Sequence, residues 1–478
     1  MNDRRTRTFE VRLGPPGHGG FCVARHEGRV VFVRHGLPGE LVRVRVTEDR
    51  GGSFCRADAV EVLEASPDRV PAICPVSGPG GAGCCDFSFA TPTAQRTMKA
   101  AVVAEQLRRV AGIEREVLVE PIGPPDAVGG WRTRVRLAVD AHGRAGVHRY
   151  RSTDVIADLR CPQPVAGALE GIADRQWTPG ADLVIAVDGD GIRHVVELAP
   201  AAEAEPVSRG GDRRGPGGSG RRSETGGPDR RERAGSGRRE RPHGRDQRGG
   251  RRGGGGAWAG ADNRRDGRRE ASARRAAAHA ARDEWVFGGS GRAVEYVAGR
   301  RWEVAATGFW QAHRGAAQRY SDLIAQWADL GPGGRAWDLY SGAGVFAARL
   351  GEQTGRTGVV LAVESARPAV ADGSAALRDL PWVELRAQRV ERWVLEHVGA
   401  AAPDVVVLDP PRAGAGKEVV GAVTASGPAR VIHVGCDPAS FARDLGLYQA
   451  AGYRLADLRA FDAFPATHHV ECLALLRR

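Results

Sequence analysis

The 478-residue sequence has almost no lysine: Lys99 and Lys417 are the only two. Arginine therefore carries nearly all of its positive charge, which reads as a compositional bias and not as a functional choice. No window reaches about 18 uninterrupted apolar residues, the length a spanning helix needs, so no membrane segment is expected. The N-terminal stretch MNDRRTRTFEVRLG has no apolar core, so no secretory signal is expected. Nor is there a regular cysteine framework. Eight cysteines are scattered unevenly, so a cytoplasmic chain with reduced thiols is expected, serving as ligands, a nucleophile or plain core residues. The length is too great for one ordinary domain. A hydrophobic content of 42% is enough to build more than one core.

The formal charge of +11 is concentrated in one place. Residues 201–284 hold 22 arginines and no lysine against 13 acidic residues, which leaves only +2 for the rest of the chain. The same segment is Arg/Gly/Ser-rich and nearly devoid of aliphatic residues. It cannot bury enough surface to offset chain entropy, so a disordered insertion is expected there. Its role is either a solvated spacer or a salt-sensitive RNA tether. The basic charge alone does not show that the folded parts bind nucleic acid.

Residues 8–65 contain short alternating runs, TFEVRL, RVVFVRH, ELVRVRVTE and ADAVEVLEA, separated by glycine turns. This pattern predicts a small β-barrel. GHGGFCVARHEGRVVFVRHGLPGE resembles the TRAM domain, an OB-like barrel attached to RNA-modifying enzymes, and the resemblance implies RNA contact. A cysteine- and glycine-rich stretch follows over 68–92. A helix is predicted over Thr93–Ala111, and strands return over 118–200. Strands resume at EWVFGGSG and AVEYVAG, so the insertion interrupts a domain instead of separating two.

From about residue 311, strands and helices alternate to a closing strand pair, YRLADLRAFDA and HVECLALLRR. This predicts a mostly parallel sheet with helices on both faces, which binds ligands at the carboxyl ends of its strands. The expected architecture is α/β overall. It comprises a barrel over 1–67, a central α+β domain over 68–310 broken by the insertion, and a Rossmann-like domain over 311–478.

Three motifs fall at those strand ends. Asp338-Leu339-Tyr340-Ser341-Gly342-Ala343-Gly344 joins a strand to a helix, and glycine lets the backbone approach a ligand closely. Glu364 ends the next strand, where a carboxylate can accept two ribose hydroxyls. These two features suit a dinucleotide as well as S-adenosylmethionine. Asp409-Pro410-Pro411-Arg412 decides between them, because dehydrogenases have no need of a proline-stiffened polar loop there. Cys436 ends the following strand, and Asp437-Pro438 starts a helix. A thiol near a helix N-terminus is expected to have a lowered pKa. Glu471 opens the final strand as a candidate base.

DLYSGAGVFA, AVES, LDPPRAG, VGCDPASFARD and AFPATHHVE, in this order, resemble the RNA 5-methyluridine methyltransferase family. The resemblance implies S-adenosylmethionine as methyl donor and an RNA substrate, ribosomal or transfer, with ribosomal RNA favoured. It implies cofactor contacts from Gln311, Tyr340, Gly342, Gly344, Glu364 and Asp409, with Cys436 as nucleophile and Glu471 as base. Cys74, Cys84, Cys85 and Cys161 resemble the 4Fe–4S ligand set of the ribosomal branch. Their spacing departs from it: Ala82 stands where a ligand is expected, and Cys84 adjoins Cys85. Zinc and a metal-free site are the alternatives. Cys22, Cys55 and Cys472 read as structural. Two other functions compete: methylation of an amino group without a covalent thiol, and RNA binding without catalysis. No protein partner is indicated.

Overall fold

A computed structural model describes residues 7–201 and 282–478. The disordered insertion expected over 201–284 lies almost wholly outside these residues. Its flanks are informative. Strand β12 (Arg193–Leu198) pairs antiparallel with β13 (Glu284–Gly288), Leu198 opposite Glu284. The insertion therefore leaves and re-enters one sheet at neighbouring strands.

The first six strands form the barrel-like sheet: β1 Thr8–Arg12, β2 Pro16–Gly17, β3 Phe21–His26, β4 Arg29–Arg34, β5 Leu41–Glu48 and β6 Phe54–Glu64, in the order β1-β5-β6-β4-β3-β2. Alternation sends Cys22, Ala24, Val31, Val33, Val42, Val44, Cys55 and Ala57 inward to one core. Helix α1 (Pro92–Gln106) starts where Thr91 accepts from the Ala94 amide, with proline at the first position, a favourable N-terminus.

A second sheet orders β10 (Val155–Ile156), β9 (Ala145–His148), β8 (Arg134–Val139), β11 (Asp182–Val187), β12 and β13. The hairpin of β14 (Arg292–Val297) and β15 (Arg300–Ala305) was not foreseen as a pair. It buries Ala293, Val297, Trp302 and Val304 in the same core as helix α2 (Ala316–Ala328) and the large sheet.

The large sheet has eight strands: β18 (Val383–Ala387), β17 (Val359–Glu364), β16 (Arg335–Leu339), β19 (Val405–Leu408), β20 (Arg430–Gly435), β22 (Glu471–Arg477), β21 (Arg454–Asp462) and β7 (Val119–Pro121), in that order. β16–β20 are mutually parallel, and β22 runs antiparallel between β20 and β21. The connecting helices are α3 (Val345–Thr354), α4 (Arg367–Ala376), α5 (Val390–His397), α6 (Gly416–Ala425) and α7 (Pro438–Ala450). Both faces are covered, so the central strands are continuous apolar runs; Val405–Leu408 is fully buried throughout. The predicted alternation of strands and helices is present. β7 is the exception, because three residues far upstream in the chain carry too short a pattern to reveal an edge strand.

Candidate active site

The order β17-β16-β19 reverses the chain direction of strand addition at β16, which opens a crevice at the carboxyl ends there. The glycine loop lies in that crevice. Tyr340, Gly342 and Gly344 have φ of 63°, 55° and 75°. A β-carbon on Gly342 would meet nothing within 4 Å, so its backbone faces open space that a ligand can use. Asp338 is fully buried and accepts from the Ala347 amide at 2.8 Å, which ties the loop to the first turn of α3. Burial, with Asp409 and Glu364 nearby, pushes Asp338 up to about 8.

Glu364 accepts from the Gly342 amide at 3.2 Å, the Ala366 amide at 2.8 Å and the Ser365 hydroxyl at 3.0 Å. A carboxylate offers about four acceptor positions, so capacity remains beside the open glycine. The glycine loop, the carboxylate and the free space fit the adenosyl moiety of S-adenosylmethionine. Tyr340 is half-buried, and its hydroxyl donates to Glu391 at 3.4 Å. Trp302 donates from Nε1 to the Ala343 carbonyl at 3.0 Å and braces the loop from the β14–β15 hairpin. Gln311 is half-buried, next to Ala312, whose carbonyl accepts from the Thr133 amide at 2.9 Å.

Asp409 follows β19, and its amide donates to the Leu339 carbonyl at 3.2 Å. The loop after it is pinned by helix α7. Ser440 donates to the Arg412 carbonyl at 2.8 Å, Arg443 to the Ala413 carbonyl at 2.8 Å, and buried Asp444 accepts from the Ala415 and Gly416 amides. Two prolines and four such bonds make this a rigid loop.

Cys436 is the residue after β20. Gly435 pairs with Cys472, so Cys436 and Glu471 are brought beside each other at the same end of adjacent strands. Glu471 is buried at 4% exposure, and burial with Asp409 close by holds its carboxyl well above the usual range. Burial pushes Asp409 up to about 7. Burial, reinforced by Glu471 and Asp409 and opposed by Arg412, pushes the Cys436 thiol up to about 12. This corrects the helix-terminus argument. The N-terminus of α7 is already capped by Asp437, which accepts from the Ala439 and Ser440 amides, so little of the helix dipole reaches the thiol. Arg412 offsets part of this negative potential, and it hydrogen-bonds His469 at 3.1 Å.

Several supporting residues carried no sequence signal beyond their turn or helix. His18, in a barrel turn, pairs with Asp437 at 3.0 Å. Asp86 joins buried Arg34 of the barrel to His468 of the loop before β22, each at 2.5 Å. Buried Lys99 of α1 donates to Asp462 at 2.5 Å and to the Phe464 carbonyl at 3.1 Å. Gln95 accepts from the Ala466 amide at 2.7 Å, with Ala466 at φ 66°. The loop that delivers Glu471 is thus held by Asp86 and by two side chains of α1. Tyr320 of α2 was also missed. Its hydroxyl is fully buried without a hydrogen-bond partner, and the field of Glu471, Asp409 and Cys436 adds to burial in suppressing its ionisation.

Cys74, Cys84, Cys85 and Cys161 do converge. The Cys85 thiol interacts with each of the other three and accepts from Gln163 at 3.2 Å. That contact with Cys85 comes first in lowering Cys74, Cys84 and Cys161, the last to about 7. The 4Fe–4S expectation is not supported by this arrangement. Among the described residues no group of three or more His, Cys, Asp or Glu is arranged to hold a metal ion. Cys22 and Cys472 are buried thiols raised by burial, in keeping with a structural role.

Residues 4–60 match the TRAM domain model, and residues 384–478 match the tRNA (Uracil-5-)-methyltransferase model. An uncharacterized RNA methyltransferase of Streptomyces avermitilis is 39% identical, covering 98% of both chains. A 23S rRNA (uracil(1939)-C(5))-methyltransferase of Alkalilimnicola ehrlichii is 29% identical, over 100% of this chain and 99% of the other. The crystal structure of a Pyrococcus abyssi tRNA (uracil-54, C5)-methyltransferase with S-adenosyl-L-homocysteine shares the fold. It has a TM-score of 0.61 at 17% identity, over 98% and 100% of the two chains. A barrel of the TRAM type, a glycine loop paired with Glu364, and full-length relatives at 39% identity converge on one conclusion: the chain belongs to the TRAM-containing family of uracil-5 RNA methyltransferases, S-adenosylmethionine-dependent enzymes.

Proposed function

We propose that the protein methylates carbon 5 of a uridine in RNA through a covalent Cys436 adduct. The observation that carries this reading is the meeting of Cys436 and Glu471 on adjacent strands, with Asp409 close by. Carbon 5 of uracil is a poor nucleophile. The Cys436 thiolate adds to carbon 6, and the displaced electron pair makes an enolate that is nucleophilic at carbon 5. Gln311, Tyr340, Gly342, Gly344, Glu364 and Asp409 would hold S-adenosylmethionine, which when bound would give its methyl group to carbon 5 and leave as S-adenosylhomocysteine. Glu471 then takes the carbon-5 proton, and the returning electron pair expels the thiolate. Its raised pKa suits a base that must hold that proton. The uridine must leave its stack to reach this site.

The barrel over 1–67 is the RNA-contacting part, 68–310 the central domain and 311–478 the catalytic domain. Ribosomal RNA is the favoured substrate, supported by full-length similarity to a 23S rRNA enzyme at 29% identity, against 17% for the tRNA enzyme that shares the fold. The test is incubation with 5-fluorouracil-containing RNA and S-adenosylmethionine. A denaturation-resistant adduct is expected with the native protein and none with Cys436→Ala. Methylation of ordinary RNA by Cys436→Ala at the native rate would mean amino-group chemistry instead.

A further inference from the structure

The outer face of the barrel carries an uncommon row of side chains. Phe21 and Phe32 meet edge to face at 6.1 Å between ring centroids, and Phe32 meets Phe54 at 5.6 Å. Arg56 lies over both Phe21 and Phe32, at 4.9 and 5.7 Å from their centroids. Exposure rises along the row: Phe21 is 8% exposed, Phe32 is half-buried and Phe54 is 45% exposed. Single exposed apolar residues are ordinary, but three linked rings under an arginine are not. Strand register continues the pattern. Phe32 stands between Val23 and Arg56, and Val30, two residues away on the same face, stands between Arg25 and Phe54. Arg25 and Arg45 are exposed and form no ion pair among the described residues.

The buried end of the row adjoins a turn that packs on the active-site loops. A β-carbon on Gly19 would lie 3.1 Å from the Phe21 ring, and a β-carbon on Gly20 would lie 3.3 Å from Asp86 and His468. Their neighbour His18 bonds Asp437, the residue after Cys436. Polymer held on Phe32 and Phe54 would therefore continue toward the mouth that holds Cys436.

Resting on the RNA-methylation reading above, we propose that Phe32, Phe54 and Arg56 form a stacking track for the single-stranded nucleotides flanking the target uridine. Unpaired arginines attract the backbone, and the rings offer π surfaces that any base can use, so the track is sequence-tolerant. The barrel thereby holds the strand unstacked beside a site that needs one uridine free.

The experiment is fluorescence anisotropy of the full-length protein with labelled oligoadenylate of roughly twelve nucleotides, within the reach of such folds. Phe32→Ala and Phe54→Ala are each expected to weaken binding roughly tenfold, and Arg56→Ala several-fold. Phe54→Leu keeps the apolar volume but removes the ring, and is expected to behave like Phe54→Ala. Circular dichroism checks that each variant folds. Native affinity in a folded Phe32→Ala/Phe54→Ala double variant overturns the proposal and leaves the face to a protein partner. Equal binding of duplex RNA of the same length overturns it too. The assay contains no S-adenosylmethionine and reads no methyl transfer, so its failure is separate from failure of the Cys436 mechanism.

Discussion

Two groups of thiols in this molecule have opposite electrostatics. Cys436 stands among buried carboxylates and is pushed up to about 12. Cys161 stands among three other thiols, one of which donates to it, and is brought down to about 7. The side chain is the same, and its surroundings set its acidity. The proposed nucleophile is thus the less acidic thiol in the resting protein. Within the four-thiol group Cys74, Cys84 and Cys161 are lowered by their contact with Cys85, which is itself raised.

The largest expected effect tests the Cys436 side of this contrast. Cys436→Ala should lose on the order of a thousandfold or more in methylation rate, read by transfer of radiolabelled methyl groups. Glu471→Gln should lose roughly 10²- to 10⁴-fold and accumulate the covalent RNA adduct, visible on a denaturing gel, because the final proton removal fails. In the pH profile of kcat/KM, a thiol near 12 in the free protein predicts about tenfold per unit between pH 7 and 9. A flat profile would show that ionisation of the thiol does not limit the reaction. Alkylation by iodoacetamide near pH 7.5, mapped by mass spectrometry, sharpens the contrast directly: Cys161 should label well before Cys436. Preferential labelling of Cys436 would reverse the order argued above.

The smallest effect is on stability. Asp338 and Asp409 lie near 8 and 7, above the ordinary aspartate value of 3.8. The folded state therefore holds protons that the unfolded state has lost between pH 4 and 8. Their contribution is fully present below about pH 4 and falls as pH rises through 7 to 8. Asp338→Asn should flatten this decline in urea titrations made across that range.

Much of the catalytic domain was legible because its signals are local. Buried parallel strands such as VVVL and VIHV are continuous apolar runs, and each ends in a residue type that its neighbours do not explain: Asp409 after one, Cys436 after the other. The αL glycines and the prolines marked the turns between them. Helix α2 starts only at Ala316, because the segment ahead of it is held to the central sheet through Thr133 and Ala312. The hairpin β14–β15 and the edge strand β7 were not legible as parts of this core, since their partners are remote in sequence and short runs carry no pairing information.

The sequence by itself determined the family, the order of the motifs and the chemistry of the side chains at the strand ends. Residue type and spacing along one strand or turn are local properties. Tertiary structure alone decided how acidic each thiol is, because a pKa depends on burial and on charges brought from distant strands. It alone placed His18, Asp86 and Lys99 around the loops of Cys436 and Glu471, and lined Phe21, Phe32 and Phe54 into one row. It also packed Cys85 against three thiols where a cluster was expected, a question of distance that spacing could not answer.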